Sequence, residues 1–69
     1  MPLTLANQDE HFLIKKIKGK EEVRRFLENL GFVAGAEVSV VSKICGNLIV
    51  QIKDSRVAIS SEMAREIII

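Results

Sequence analysis

The run Val23-Arg24-Arg25-Phe26-Leu27-Glu28-Asn29-Leu30-Gly31-Phe32-Val33-Ala34-Gly35-Ala36-Glu37-Val38 decides how the rest of the chain is read. Val23, Phe26, Leu27 and Leu30 recur at i, i+3, i+4 and i+7, the spacing that lines one face of a helix. Glu21 and Glu22 stand in the first turn, where the positive end of the helix dipole favours carboxylates. Glu21 can also reach Arg25 one turn further on. Gly31 stops the helix, because the position after the cap usually needs a left-handed backbone that costs glycine nothing. Phe32 is then placed to fold back onto Leu27, the hydrophobic contact of a Schellman ending. Gly35 supplies a second positive φ for a type II turn over Val33 to Ala36. A helix is thus aimed, within a few residues, into a strand.

Beyond the turn the hydrophobic period changes to two. Ala36, Val38 and Val40 point one way, while Glu37, Ser39 and Val41 point the other. Cys45-Gly46-Asn47 reads as a hairpin tip. Leu48, Val50 and Ile52 form the inner face of the next strand, and Gln51 and Lys53 its outside. Asp54-Ser55 reads as a second tight turn, after which Val57 and Ile59 continue the inward face. Ser60-Ser61 can cap a single helical turn carrying Met63 and Ala64. Arg65 to Ile69 then forms a closing strand. Upstream, His11 to Ile17 reads as one strand, although Phe12, Leu13, Ile14 and Ile17 do not alternate cleanly. Lys15, Lys16 and Lys18 solvate its end. Residues 2–6 are expected to tuck Leu3 and Leu5 under the core, and Asn7 to Glu10 to make a polar turn.

Five short strands, one helix after the first and a helical turn before the last predict a mostly β fold, a small SH3-like β-barrel. The alternative is an open antiparallel sheet with the helix on one face. It is disfavoured because so many β-branched residues in so short a chain would leave exposed edges. At 69 residues the chain is expected to form one domain over 1–69. A hydrophobic content of 48% is too high for a disordered tail. One cysteine cannot form an internal disulfide, and no Cys/His cluster offers a structural zinc site. The fold must therefore rest on a compact, efficiently closed core.

The net charge is +1, with both signs interleaved, which gives no long-range field for nucleic acid or anionic lipid. The apolar runs Leu48–Val50 and Ile67–Ile69 are far too short to span a bilayer. Met1-Pro2-Leu3-Thr4 lacks the basic and apolar regions of a secretion signal. An unpaired cysteine also suits a reducing compartment. A cytoplasmic location is expected.

Few residues offer chemistry. His11 could bind a metal through an imidazole nitrogen, with Asp9 and Glu10 adding oxygens; an ordinary surface histidine in a polar turn is the competing reading. Cys45 could ligate or be oxidised, but a reactive thiolate needs a positive neighbour. Both together leave a site two ligands short. Adjacent carboxylates such as Glu21/Glu22 do not face one another across a cleft, and no phosphate-binding G-x-x-x-x-G-K-[ST] loop is present. The expectation is a protein without enzymatic activity. Nucleic-acid binding by a small barrel usually joins basic residues to stacking aromatics. Here Glu21, Glu22 and Glu28 interrupt the basic run of Lys15, Lys16, Lys18, Lys20, Arg24 and Arg25, and neither tyrosine nor tryptophan occurs. Polyproline capture lacks the same aromatics. What remains is a protein contact on aliphatic residues. Val41, Ile44 and Ile49 are placed opposite Val38, Val40, Leu48 and Val50, beside Cys45, where an apolar patch would be a docking site. Packing beneath the helix or the N-terminal segment is the alternative.

Leu30-Gly31-Phe32-Val33-Ala34-Gly35-Ala36-Glu37-Val38, Gly46-Asn47-Leu48-Ile49-Val50, Ser55-Arg56-Val57-Ala58-Ile59, Ala64 and Ile67 resemble, in this order and spacing, the ferrous iron transport protein A (FeoA) family. A similar domain closes the iron-dependent repressors of the diphtheria-toxin-regulator type. The resemblance implies an SH3-like barrel in the bacterial cytoplasm that assists the large membrane GTPase (FeoB-type) carrying Fe(II) inward. Two departures are Ala34, where the family usually has proline, and the short Cys45-Gly46-Asn47 hairpin, where many members have a longer one. Fe(II) favours nitrogen and oxygen ligands such as two histidines and a carboxylate. One histidine cannot supply that set, so the implied role is contact with the transporter, affecting its assembly or activity. The alternative is a metal-responsive regulatory module that senses a divalent ion (Fe, Mn or Zn) through His11 and nearby carboxylates.

Overall fold

The computed structural model describes residues 1–69. Helix α1 spans Glu21–Asn29, and Arg25 Nη2 donates to Glu21 Oε1 at 2.6 Å. At its end Gly31 N donates to Glu28 O and Phe32 N to Leu27 O, each at 3.0 Å. These are the two bonds of the Schellman motif, with Gly31 at φ +106°. Leu27 and Phe32 are both fully buried. Ala36 N then donates to Val33 O at 3.0 Å, closing the turn that carries Gly35 at φ +88°. Phe26 departs from expectation and is 48% exposed. It lies about 100° round the helix from Leu27, at the margin of the stripe that Val23, Leu27 and Leu30 turn inward.

Six strands follow the chain: β1 His11–Leu13, β2 Lys16–Ile17, β3 Glu37–Ile44, β4 Asn47–Ile52, β5 Ser55–Ser60 and β6 Ile67–Ile68. The one strand expected over His11 to Ile17 is broken in two. Ile14 N donates to Ala36 O at 2.9 Å, but Lys15 N donates to Ile68 O at 2.7 Å. The chain changes partner between these residues and buries Ile14 at the corner, which explains the unclear alternation there. The result is a four-stranded sheet of order β1-β3-β4-β5 and a two-stranded sheet β2-β6, every ladder antiparallel.

This mostly β arrangement has α1 after β2 and a short helix α2, Ser61–Ala64, before the last strand. Ser60 Oγ caps α2 by accepting from Met63 N at 3.2 Å. The ring of strands is not closed as expected, because β5 has no strand on its far side. Side chains close the core instead. Leu3, Ile14, Leu27, Phe32, Val38, Val40, Val50, Ile52 and Ile67 are all under 3% exposed.

The N-terminal segment supplies one leucine to that core. Leu3 is fully buried while Leu5 is 65% exposed. Leu3–Leu5 forms a single 3₁₀ turn, in which positions two apart point to different sides. The closing strand is also shorter than expected, since Arg65 N still donates to Ser61 O behind α2. The second hairpin loop is Lys53-Asp54, one residue earlier than the sequence suggested, with Lys53 at φ +54°.

Candidate docking surface

The site is built on the outer face of the four-stranded sheet. In β4 Leu48, Val50 and Ile52 are buried, while Asn47, Ile49 and Gln51 face outward. Ladder partners share that face: Gln51 lies between Ser39 and Arg56, Ile49 between Ser42 and Ala58, and Asn47 between Ile44 and Ser60. The β3–β4 register slips at Val41, between the Val40–Val50 and Ser42–Ile49 pairs. Such a bulge reverses the phase of the residues that follow. Plain alternation would turn Ile44 inward with Val38 and Val40. After the slip it faces outward and is 54% exposed.

Ile44 and Ile49 are therefore diagonal neighbours across the ladder, and Ala58 extends the apolar strip beyond Ile49. Val41 and Ile49 are half-buried, and Cys45 is exposed. Cys45 at φ +46° and Gly46 at φ +79° form the two-residue loop between β3 and β4. Both central residues have positive φ, as a type I′ hairpin turn requires. Lys43 points away from the strip, and its Nζ donates to Thr4 O at 3.1 Å. Ala58 also belongs to this surface, a place its alternation with the inward Val57 and Ile59 implies though the sequence reading did not assign it there.

The other end of the same face carries the histidine. His11 Nδ1 lies 2.8 Å from Glu37 Oε1, and the two side chains are 68% and 65% exposed. A polar contact in such open water contributes about 0–1 kcal/mol. Glu37 was not apparent from the sequence, because only the β1–β3 register brings it beside His11. Glu10 instead has its Oε1 on Asn7 Nδ2 at 2.9 Å. Asp9, at φ +68°, uses its backbone N to bond Val40 O at 2.8 Å.

No group of three or more His, Cys, Asp or Glu side chains comes together. His11 and Glu37 offer one nitrogen and one oxygen, two donors where a closed zinc site takes four. They do not make a complete metal site by themselves. An open depression beside them, about 370 Å³, is also lined by Ala36, Val38, Ser39, Gln51 and Lys53. Only Ala36 and Val38 of its lining residues are hydrophobic, whereas pockets for small organic ligands are usually walled by apolar and aromatic side chains. No helix of the chain is long and apolar enough to cross a membrane.

The FeoA domain model matches residues 1–69. No curated protein matches in sequence. Among solved structures, an iron uptake regulatory protein (FeoA) superposes with TM-score 0.88 at 25% identity, covering 97% of this chain and 91% of that one. FeoA of Stenotrophomonas maltophilia, complexed with zinc, superposes with TM-score 0.87 at 26% identity, covering 99% and 87%. It is described as a procaryotic SH3 domain protein and proposed as a bacterial ferrous iron transport activating factor. A manganese-dependent transcriptional repressor shares the fold with TM-score 0.89 at 17% identity; the match covers 97% of this chain and 39% of the repressor. The architecture is thus SH3-like, and with a match running from the first residue to the last, the chain belongs to the FeoA family.

Proposed function

We propose that this chain is a non-enzymatic accessory of bacterial ferrous iron uptake. It works in the cytoplasm, where it docks on the cytoplasmic part of the Fe(II)-transporting membrane GTPase and affects its assembly or activity. The observation that carries this reading is the full-length FeoA match, together with the transport-activating role proposed for the Stenotrophomonas relative. The outer-face strip of Ile44, Ile49 and Ala58, flanked by Val41 and Cys45, supports a protein contact, since exposed apolar strips on small folds mark such sites.

Addition of the purified chain to the reconstituted GTPase tests the proposal. The wild type is expected to change GTP hydrolysis or iron uptake, and Ile44→Asp is expected to lose at least about tenfold in binding, the scale of an anchor residue worth more than ~1 kcal/mol. Ile44 is half-exposed, so this change leaves the core intact. No binding and no effect by the wild type would sink the adaptor reading.

The His11–Glu37 pair favours a second reading, a metal-responsive module. A divalent ion such as Fe, Mn or Zn would take His11 and Glu37, with its other ligands coming from solvent or a partner. Mn(II) titration followed by NMR distinguishes this reading: line broadening confined to His11 and Glu37 supports it, and diffuse broadening rejects it.

A further inference from the structure

We propose that β5 is a self-pairing edge through which two copies of this chain join antiparallel, with Val57 of each copy facing Val57 of the other across a twofold axis. β5 is six residues long, is paired with β4 on one side and has no strand on the other. Ile52 and Ser55 close the preceding two-residue hairpin. Hydrogen-bonded pairs alternate from such a closing pair, so Ser55, Val57 and Ile59 direct their N–H and C=O groups to β4. Arg56 and Ala58 direct theirs to the open side. None of the turn, loop or cap bonds uses a backbone group of Arg56 or Ala58. Both residues are exposed.

The devices that usually blunt an edge are mostly missing. β5 has no proline, and its register with β4 runs unbroken from Asn47–Ser60 to Ile52–Ser55. A single charged side chain, Arg56, guards it. That charge rules out one register. Arg56 opposite Arg56 would set like charges side by side, which is unfavourable. Shifting by one step places Arg56 opposite Ala58 in both directions. The outward backbone groups of these two residues then form four hydrogen bonds, and each arginine lies over a small neighbour.

The same shift brings Val57 opposite Val57 at a non-hydrogen-bonded position, where Cα atoms stand about 4.5 Å apart. Val57 is the inward-facing residue of β5 that remains half-buried, whereas Ile59 beside it is 3% exposed. Pairing covers the part of Val57 that the single chain leaves open. A net charge of +1 sets little repulsion between the copies. The twofold leaves both Ile44–Ile49 strips on one side of the joined sheet, and the pairing itself does not depend on any docking partner.

Each test variant carries Cys45→Asn, which leaves one thiol or none and suits the positive φ of that turn position. Sedimentation equilibrium over a series reaching millimolar concentration is expected to show mass rising toward twice the monomer. Ala58→Pro removes an outward N–H that β4 does not use, and is expected to return the mass to monomer while keeping the melting transition. In a glutathione redox buffer, Val57→Cys is expected to cross-link at least about tenfold faster than Arg56→Cys. The latter residues stand two positions out of step, beyond the roughly 7 Å that a disulfide spans. If Ala58→Pro loses its transition, the cross-linking ratio alone decides. Monomer at every concentration, a dimer unaffected by a folded Ala58→Pro, or equal cross-linking at both positions would overturn the proposal.

Discussion

At Gly31 the backbone sits at φ +106°, and a Cβ built there would meet only Ile52 Cγ1, at an ordinary 3.6 Å. Space is available, so the loss in Gly31→Ala comes from backbone conformation. It is expected to cost about 1–2 kcal/mol, seen in urea unfolding as a lower midpoint with an unchanged slope. A near-neutral result would show that the Schellman ending does not control the helix. This feature was legible because the sign of φ and the residue that tolerates it are local properties. The His11–Glu37 pair was not: residues near His11 suggested Asp9 and Glu10, while Glu37 arrives across a ladder whose register no neighbouring residue announces.

Among the elements, α1 and the turn after it hold the core through Leu27 and Phe32. Phe32 is fully buried and Phe26 is 48% exposed, so the two phenylalanines separate packing from surface area. Phe32→Ala is expected to cost about 3–5 kcal/mol. A core this small supplies about 3–5 kcal/mol net, so that variant should lose its cooperative transition. Phe26→Ala should keep it and shift stability by less than about 1 kcal/mol. Circular dichroism melts of both variants check the contrast, and equal losses would contradict it. Helical spacing placed Phe26 with Val23, Leu27 and Leu30, but spacing does not say how wide a face a nine-residue helix can bury. Two further features of the elements escaped the sequence for a shared reason. The break between Ile14 and Lys15 is a change of strand partner and the slip at Val41 a change of register against β4, and both are set by how the strands come together.

Across the whole molecule, the buried side chains form the core and the outer sheet face keeps Ile44 half-exposed. Mostly β architecture, the inserted helix and the capped turn of α2 could be read from periodicity and turn residues. Full closure of the strands could not, because α1, α2 and the Leu3–Leu5 turn seal the core where a further ladder was expected. The bulge at Val41 gives this surface its character, turning Ile44 out beside Ile49 instead of into the core. NMR spectra of isotope-labelled chain, recorded as the detergent-solubilised membrane GTPase is added, locate the contact most directly. Broadening is predicted to begin at Ile44, Ile49 and Ala58 and to spare α1. Broadening centred on α1, or spectra unchanged at saturating GTPase, would contradict the account.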